Sequence, residues 1–365
     1  MSRLYSIGST GSTSSYSAVA RPPLVSLPSH DPRGESRTRL IDAFGRRLTY
    51  LRVSVTDRCN LRCTYCLPED AEFPWGDRDF LSVDEIEAMV GALVRLGIER
   101  VRLTGGEPLV RKDILEIARR VKALPGVEDL ALSTNGTELA RLAPALKEAG
   151  VDRVNVSLDT LDPERFREIT RRGDLARVWE GVEAALDAGL DPVKLNAVLV
   201  GEESLADADR LVALTLDQPL AVRFIEMMPT ASNHHPGAGR VPTCDDVRKR
   251  AVARYGALEP ADPEFRTGPA KAFRIPGAAG TVGFITPLSH TFCAECNRLR
   301  LTARGELRLC LFAERNHPLR PCLAAADPAA ALEAEILRVL KEKPAEHMLT
   351  QGDYGNLVSF MEIGG

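Results

Sequence analysis

Between residues 47 and 228, short apolar segments alternate along the chain with longer amphipathic ones. The apolar segments are rich in Val, Ile and Leu, which is typical of parallel strands covered on both faces. They are LTYLRVSV (48–55), ERVRLT (99–104), DLALST (129–134), RVNVSL (153–158), VKLNAVLV (193–200) and AVRFIEMM (221–228). Six consecutive strand–helix units predict right-handed crossovers and a partial (β/α)6 TIM-like barrel.

The segments between these strands carry helix start signals. Ser82 and Glu85 have the spacing of a capping box ahead of an apolar stripe that begins at Ile86. Asp162 stands before Pro163, and proline is favoured at the first position of a helix. Both signals place helices on the crossovers that parallel strands require.

The alternation ends near residue 230, where the predicted fold class changes from α/β to α+β. The remaining chain predicts a loop (229–240), a helix (244–256), two antiparallel strands (267–275 and 280–287), a β-hairpin (298–312) and a helix that opens at Asp327 and Pro328. The predicted organisation is a disordered N-terminal tail (1–38), a barrel (39–230) and a C-terminal cysteine-bearing α+β extension (231–365).

Composition narrows the classes of partner. Residues 1–38 are rich in Ser, Gly and Pro without periodicity, which indicates a disordered tail. A mitochondrial transit peptide is the alternative, because the first thirty residues contain Arg but no acidic residue.

The net charge of −4 excludes overall basicity as a means of binding nucleic acid, and no apolar run approaches the roughly 18 residues of a transmembrane helix. We therefore expect a cytoplasmic protein without nucleic-acid or membrane partners, with the mitochondrial matrix as the alternative location.

The eight cysteines indicate bound metal rather than disulfides, because two groups have close spacings and no signal peptide precedes them. Cys59, Cys63 and Cys66 are spaced C-x3-C-x2-C, and no further Cys or His follows within a hundred residues. A structural zinc ion takes four ligands, whereas three thiolates on a [4Fe–4S] cluster leave one iron open. The pattern favours such a cluster, with zinc and a distant fourth ligand as the alternative.

Cys293, Cys296 and Cys310 form a second group, spaced C-x2-C-x13-C. The predicted hairpin turns between the second and third of these residues and so returns Cys310 to the neighbourhood of Cys296. Three thiolates again converge, one ligand short of a closed site. Zinc completed by His290 or His317 is the alternative to a second cluster with an open iron.

Two arginines lie beside this second group. Strand alternation puts Arg298 and Arg300 on one face, and the hairpin register puts Cys310 opposite Arg298 or Leu299. Two guanidinium groups can bind phosphate oxygens in bidentate fashion, whereas the alternative is a solvated strand face that binds nothing. The cysteines that match no motif, and that we interpret as structural, are Cys244 and Cys322.

Polar segments follow or end most of the predicted barrel strands. They are TGGEP (104–108), STNG (133–136), SLD (157–159), Lys194 with Asn196, and Glu226 to Met228. Each alone could be an ordinary turn or strand end. Because the carboxyl ends of barrel strands meet at one rim, together they predict a single polar site there.

The first cysteine motif, with Tyr65 before its last cysteine, resembles that of the radical S-adenosylmethionine superfamily. The resemblance implies that the open iron binds the amino and carboxylate groups of S-adenosyl-L-methionine. One electron from the cluster then cleaves this cofactor to a 5′-deoxyadenosyl radical. TGGEP is similar to the superfamily's glycine-rich motif, which implies that its backbone and Glu107 hold the methionine amino group.

From about Arg52 to its end, the chain also resembles one family of that superfamily, the GTP 3′,8-cyclases. The shared segments are VTDRCNLRCTYC, LTGGEPL, STNG, VSLD, CNRLRLT and the terminal Gly-Gly. The resemblance implies two [4Fe–4S] clusters, ligated by Cys59, Cys63, Cys66, Cys293, Cys296 and Cys310. It implies that S-adenosylmethionine contacts Tyr65, Gly106, Glu107, Ser157 and Met228. It implies that GTP contacts Arg52, Arg102, Ser133, Lys194, Arg298, Leu299 and Arg300. The residues with implied catalytic roles are Arg298, Arg300, Gly364 and Gly365.

The resemblance has three further implications, which concern Ser133, the C-terminal tail and the second cluster. The family more often has Thr where Ser133 stands, but a hydroxyl group is kept. Gly364 and Gly365 belong to a tail that the resemblance implies inserts into the active site. The open iron of the second cluster is implied to meet the guanine ring of GTP.

The implied reaction is that of a lyase in molybdenum cofactor biosynthesis. The 5′-deoxyadenosyl radical removes hydrogen from C3′ of the GTP ribose, and the carbon radical adds to C8 of guanine. Reduction of the resulting radical then yields 3′,8-cyclo-7,8-dihydro-GTP. Implied partners are a flavodoxin- or ferredoxin-type electron donor and, downstream, cyclic pyranopterin monophosphate synthase; homodimerisation is left open. Two alternatives also stay open: another radical enzyme with an auxiliary cluster, such as a peptide maturase, and a non-catalytic iron–sulfur or zinc protein.

Overall fold

The six predicted strands form the centre of a twelve-stranded sheet in the computed structural model. The structure describes residues 40–66, 80–230, 240–261, 268–349 and Phe360. These residues belong to one compact unit, Thr38–Gly365. The predicted disordered tail (1–38) and the terminal Gly364 and Gly365 lie outside the described residues. Within the described ranges, no helix has both the length and the apolar character needed to cross a bilayer.

The barrel strands are parallel and follow one another in chain order, as predicted. They are β1 (Tyr50–Ser54), β2 (Arg100–Thr104), β3 (Asp129–Thr134), β4 (Arg153–Ser157), β5 (Lys194–Leu199) and β6 (Ala221–Glu226). The crossover helices are α1 (Val83–Leu96), α2 (Ile114–Ala123), α3 (Leu139–Glu148), α4 (Pro163–Thr170), α5 (Leu175–Asp187) and α6 (Ser204–Asp217). Two helices, α4 and α5, share the crossover from β4 to β5.

The predicted helix starts are confirmed by their hydrogen bonds. The Ser82 side chain accepts from the Glu85 backbone N–H, and the Glu85 carboxylate accepts from the Ser82 N–H, which completes the capping box of α1. The Asp162 carboxylate accepts from two backbone N–H groups of α4, and Pro163 is its first residue. These two caps end the loops that precede α1 and α4 at defined residues, and so define the lengths of those two loops at the rim.

The C-terminal region extends the same sheet at both edges. Its strands are β7 (Glu259–Pro260), β8 (Lys271–Arg274), β9 (Thr281–Ile285), β10 (Arg298–Leu301), β11 (Glu306–Arg308) and β12 (His317–Pro318), and its helices are α7 (Cys244–Tyr255) and α8 (Pro328–Leu340). The antiparallel pair β8–β9 and the hairpin β10–β11 are confirmed. The sequence pattern did not indicate that β9 pairs in parallel with β6, or β10 in parallel with β1.

The two faces of the barrel strands differ in polarity. The residues that face the helices, such as Leu51, Val101 and Val154, are fully buried in one apolar core. The alternate residues, such as Arg52, Arg102 and Asn155, line an internal cavity. Both faces of these strands are buried, as predicted, but the inner face carries polar residues and lines this cavity.

Candidate active site

A cavity of about 320 Å³ occupies the interior of the barrel and collects most of the predicted site residues. Those that line it are Arg52, Cys59, Cys63, Tyr65, Cys66, Arg102, Gly106, Ser133, Ser157, Met228, Arg298 and Arg300. The predicted site residues outside its lining are Glu107, Lys194, Cys293, Cys296, Leu299 and Cys310. Leu299 lies on the other face of β10, where its side chain is buried in the apolar core.

The first cysteine loop is docked on the end of helix α4. The backbone N–H groups of Arg62 and Thr64 donate to the carbonyls of Thr170 and Ile169, at 3.1 and 2.9 Å. The N–H of Cys66 donates to the carbonyl of Cys63 at 2.9 Å, which closes a turn between these two ligands. The loop thus presents its thiols from a conformation that backbone hydrogen bonds already define.

The TGGEP segment packs directly against this loop. A Cβ atom at Gly105 would lie 2.4 Å from the carbonyl oxygen of Thr56, and one at Gly106 would lie 2.4 Å from that of Arg58. The N–H of Gly106 donates to the Thr56 carbonyl at 2.9 Å. Glycine is therefore required here by the approach of two protein segments, in addition to any approach of a ligand.

The STNG turn connects the other two motifs. The Glu107 carboxylate accepts from the Asn135 backbone N–H at 2.6 Å, from the Thr134 hydroxyl at 2.8 Å and from the Leu109 N–H at 2.9 Å. The Asn135 side chain donates to Asn60 Oδ1 at 2.7 Å and to Cys59 Sγ at 3.9 Å. Three segments that are distant in sequence thus form one hydrogen-bonded block around the first thiol.

The end of the cavity near this block is acidic and desolvated. Burial raises the pKa of Glu107 to about 7, and burial raises the pKa of Asp159 to about 6. The Tyr65 hydroxyl donates to Asp159 Oδ2 at 2.8 Å. Burial, followed by the charges of Asp159 and the neighbouring thiols, raises the pKa of Cys63 well above its usual value. Neither carboxyl group lines the cavity itself, but both lie in the segments that hold the first thiols, and a cation bound nearby would favour their ionised forms.

The second cysteine group has the opposite electrostatic surroundings. Burial opposes ionisation of Cys296, yet the charges of Lys343 and Arg298 lower its pKa. The Lys343 ammonium is buried and donates to the carbonyls of Arg298, at 3.2 Å, and Leu309. Cys310 also acts on Lys343 electrostatically, so two thiols and this cation lie close together.

The backbone around the second group repeats the turn of the first. The N–H of Cys296 donates to the carbonyl of Cys293 at 3.1 Å, as Cys66 does to Cys63. Arg46 donates to the same Cys293 carbonyl at 2.8 Å. In the hairpin, Arg300 pairs with Arg308, and this register continued by two residues brings Cys310 opposite Arg298, one of the two predicted partners.

The two cysteine groups lie at opposite ends of one pair of parallel strands. β1 leads at its carboxyl end into the loop of Cys59, whereas β10 begins at Arg298, directly after Cys296. Tyr50 pairs with Arg298, so the second group lies at the amino end of this strand pair. The rise from Tyr50 to Ser54 is about 13 Å at roughly 3.3 Å per residue. The cavity is lined by the thiols of the first group at the carboxyl end and by Arg298, next to the second group, at the amino end.

Cations concentrate in the half of the cavity toward the second group. Arg52, Arg102 and Arg223 line it there, and Lys194 and Arg153 are buried at the same level. Burial, followed by the charges of Arg223, Arg153 and Arg102, lowers the pKa of Lys194 to about 6. Burial likewise lowers the pKa of Arg223 to about 10. Such a set of buried like charges is the environment that a polyanionic ligand neutralises.

The donor atoms and surroundings of each thiol group indicate which kind of metal centre it suits. Within the described part of the chain, no three His, Cys, Asp or Glu side chains are close enough to hold a single metal ion. His290 and His317, the residues considered as closing zinc ligands, instead contact Asp245 at 3.2 Å and Glu342 at 3.9 Å. Each set offers three soft thiol donors in a hydrogen-bonded loop and no fourth protein donor from these histidines, which fits an iron–sulfur cluster with one open iron.

The remaining two cysteines lie apart from both sets. All eight cysteines are free thiols. The Cys244 thiol is buried in the core and lies 3.4 Å from the Phe224 carbonyl oxygen. Cys322 is half-buried and packs against the apolar core.

Several cavity residues were absent from the predicted binding set. Four of them that lie on the barrel strands are Tyr50, Asn155, Asn196 and Arg223. The Oδ1 atoms of both asparagines are buried without a hydrogen-bond partner among the described residues, as expected of groups that await a ligand. All four occupy the polar positions of strands that alternate polar and apolar residues, so the two-residue period could have identified them.

The chain matches two family descriptions in sequence. Residues 53–215 match the Radical SAM superfamily, and residues 220–349 match Molybdenum Cofactor Synthesis C. A GTP 3′,8-cyclase of Pelotomaculum thermopropionicum is 47% identical over 89% of this chain and 99% of that protein. One of Geobacter sulfurreducens is 44% identical over 84% of this chain and 94% of that protein.

Solved structures with a similar fold are more distant in sequence. SuiB of Streptococcus suis bound to S-adenosylmethionine superposes with a TM-score of 0.53 at 15% identity, covering 83% of this chain and 68% of SuiB. SuiB bound to its precursor peptide SuiA gives a TM-score of 0.55 at 14% identity, covering 83% of this chain and 66% of SuiB. At this identity the likeness concerns the fold alone, and it confirms the predicted α/β class.

Proposed function

The chain belongs to the GTP 3′,8-cyclase family of radical S-adenosylmethionine enzymes, and on that premise we propose how its own residues carry out this reaction in molybdenum cofactor biosynthesis. One observation carries the proposal: the first three-thiol group lines one end of a single cavity, and the other end is lined by cations that include Arg298, next to the second three-thiol group. A cationic cofactor and a polyanionic substrate would therefore bind at different ends of one chamber.

At the acidic end, we assign Cys59, Cys63 and Cys66 to a [4Fe–4S] cluster and the adjoining surface to S-adenosylmethionine. Its sulfonium and ammonium groups are positive, which suits the carboxyl groups near these thiols. Gly106, Tyr65, Ser157 and Met228 line the cavity there and would contact the cofactor. Glu107 already accepts three hydrogen bonds from its own protein, so its main role here is to hold the glycine-rich loop in place.

At the cationic end, we assign Cys293, Cys296 and Cys310 to the second cluster and the arginine-rich surface to GTP. Arg298 and Arg300 project from β10 into the cavity beside Cys296, as Arg52 does from β1. Their guanidinium groups would bind phosphate or ribose oxygens in bidentate fashion. Arg102, Ser133, Lys194 and Arg223 would complete this surface.

The protein contributes binding, orientation and the exclusion of water to the reaction. With S-adenosylmethionine and the clusters bound, the first site would supply the radical chemistry that begins at C3′ of the GTP ribose, and the residues at each end of the chamber would hold the two ligands in position for it. The strand pair β1–β10 holds both ends of the chamber at a constant separation, so the cofactor's 5′ carbon and the ribose can be presented to each other. The Oδ1 atoms of Asn155 and Asn196, which have no partner among the described residues, would accept hydrogen bonds from ligand groups between these ends.

We also assign a role to the C-terminal tail. Phe360 lines the cavity and packs against the cluster formed by Phe312 and Leu349. Five further residues end at Gly365, and an extended segment of that length spans about 17 Å. Gly364 and Gly365 can therefore reach the chamber, and their lack of side chains lets the backbone approach a bound nucleotide closely.

The wider setting follows from the family. We propose a cytoplasmic enzyme that takes its electron from a flavodoxin- or ferredoxin-type donor and passes its product to cyclic pyranopterin monophosphate synthase. A peptide maturase is the second candidate, because SuiB, whose fold is similar, is known bound to a precursor peptide. The cationic half of the cavity favours a nucleoside triphosphate over a peptide.

Anaerobic reconstitution tests this function. Full-length protein supplied with iron, sulfide, S-adenosylmethionine, GTP and a strong reductant should form 5′-deoxyadenosine and 3′,8-cyclo-7,8-dihydro-GTP, both measured by liquid chromatography. Absence of 5′-deoxyadenosine would contradict the radical chemistry. Its formation without loss of GTP would contradict the substrate assignment and favour a peptide maturase.

Binding of GTP at pH 7.5 should take up about one proton at Lys194. In the free protein this amine is largely neutral, because its pKa is lowered to about 6. Triphosphate charge raises that pKa, so the amine gains a proton as the ligand binds. The uptake should decline as the pH falls through 6, because an increasing fraction of Lys194 is already protonated in the free protein. Calorimetric titrations in buffers of different ionisation enthalpy measure the number of protons.

Lys194→Met is the matched control, since it keeps the length of the side chain but cannot be protonated. Tyr50, whose pKa lies at about 8, would make the same contribution to proton uptake in the wild type and in the variant. The difference in uptake between wild type and variant therefore reports Lys194. An equal uptake in both would contradict the assignment of Lys194 to the triphosphate.

A further inference from the structure

The cationic half of the cavity contains an acidic group that the proposed mechanism does not use. Tyr50 begins β1 and is 4% exposed, with its ring lining the cavity. Its hydroxyl accepts a hydrogen bond from Arg102 Nε, and the side chain of Arg52 also hydrogen-bonds it. The Arg102 guanidinium carbon lies 5.9 Å from the centroid of the Tyr50 ring. One phenol thus contacts two arginines that are assigned to the substrate.

These contacts determine the orientation of Arg102. Its Nε donates to Tyr50 and its Nη1 donates to Ser133 Oγ at 3.2 Å. Among the described residues, nothing accepts a hydrogen bond from its Nη2 group. The side chain is 97% buried, so these two neighbours define the plane of the guanidinium. Nη2 and the second Nη1 hydrogen then remain for a ligand.

A phenol suits this position better than a carboxylate would. Several cations repel one another here, and burial followed by neighbouring charges lowers the pKa of both Arg52 and Lys194. Asp129 pairs with Arg153 at the edge of this set. A second carboxylate would form a full ion pair with Arg102 and compete with phosphate for it. A phenol accepts a hydrogen bond from the arginines but remains mostly neutral at pH 7, since burial opposes and the arginines favour its ionisation.

We propose that Tyr50 is a positioning residue for the substrate: its hydroxyl holds the Arg52 and Arg102 side chains in the orientation in which they bind the triphosphate of the nucleotide. The inference rests on the proposed function, because it takes the ligand of these arginines to be GTP. Tyr50 acts through the arginines and does not itself contact the reacting carbon atoms.

Steady-state kinetics of the reconstituted full-length protein test this role. Tyr50→Phe removes the hydroxyl and keeps the ring, so it should raise KM for GTP about 10- to 100-fold, the range for a hydrogen bond to a charged group. The value of kcat should be unchanged. Formation of 5′-deoxyadenosine without GTP should also be unchanged, since Tyr50 lies at the other end of the cavity. Tyr255→Phe is the matched control, because that hydroxyl is buried without a partner among the described residues.

A double-mutant cycle separates positioning from a merely structural role. In the Arg102→Ala background, Tyr50→Phe should change KM by a much smaller factor than in the wild type, because the group that it positions is gone. An equal factor in both backgrounds, an unchanged KM in Tyr50→Phe, or a loss of kcat alone would each overturn the inference while leaving the GTP assignment intact. Failure of the wild-type protein to convert GTP would overturn both.

Discussion

Cys63→Ala is expected to abolish cleavage of S-adenosylmethionine and to remove about four iron atoms per chain from the reconstituted protein. Cys63 is the middle thiol of the first group, and Cys59 and Cys66 both act on it electrostatically. Alanine would leave two thiolates at a site that no other described His, Cys, Asp or Glu completes. Iron assay and chromatographic detection of 5′-deoxyadenosine measure the two effects.

Cys322→Ala provides the matched control for this prediction. Cys322 is a half-buried free thiol outside both groups, so its loss should leave iron content and 5′-deoxyadenosine formation unchanged. The Cys63→Ala protein should still bind GTP, because the second group and its arginines lie at the other end of the cavity. Full iron content and normal cleavage in Cys63→Ala would contradict the assignment of the first cluster.

Cys293→Ala should have the complementary effect: the iron content falls by about one cluster, S-adenosylmethionine cleavage persists and conversion of GTP is lost. Cys293 opens the turn that Cys296 closes, and Arg46 holds its carbonyl. Without its thiol the proposed second cluster would lack one of its three ligands, and GTP would lose the contact that we assign to that cluster. The measurements are iron content, 5′-deoxyadenosine and consumption of GTP.

The pair of variants tests the two-ended chamber as a whole. Each should lose one cluster and keep the function of the other end, because the groups share no residue and lie at opposite ends of β1 and β10. Unchanged iron in Cys293→Ala, or zinc recovered at that site in the wild type, would sink the two-cluster assignment. Loss of both clusters in either variant would instead indicate that one group folds only when the other is loaded.

Much of the barrel could be predicted because its signals are local. The capping box at Ser82 and Glu85 and the cap at Asp162 depend on residues within one helical turn, and both are confirmed. The six predicted barrel strands are also confirmed. A short run of apolar residues between two helices is most often a buried strand, so this signal is local as well. The grouping of six cysteines into two sets followed from their spacing and, for Cys310, from the predicted hairpin, whose register the structure confirms.

The roles of individual motifs were harder to predict. Glycines in TGGEP were expected to admit a ligand, yet their closest neighbours are carbonyl oxygens of the cysteine loop. Glu107 is held by Thr134 and Asn135, residues of another motif. Such contacts join segments far apart in sequence, so spacing within one motif cannot reveal them. Tyr50 and Arg223 were not predicted as cavity residues. Both occupy polar positions in the two-residue alternation of their strands, which is the signal that could have identified them.

The sequence by itself determined the chemistry of this protein: two sets of three thiols, the glycine-rich loop, and arginines beside the second set. These properties belong to residue types and short spacings, which do not depend on the rest of the fold. Only the tertiary structure decided that the first thiol set lines one end of a cavity whose other end carries Arg298 and the other cations beside the second set. The physical reason is the parallel pairing of β10 with β1, a non-local contact whose register depends on how all the intervening strands and helices pack.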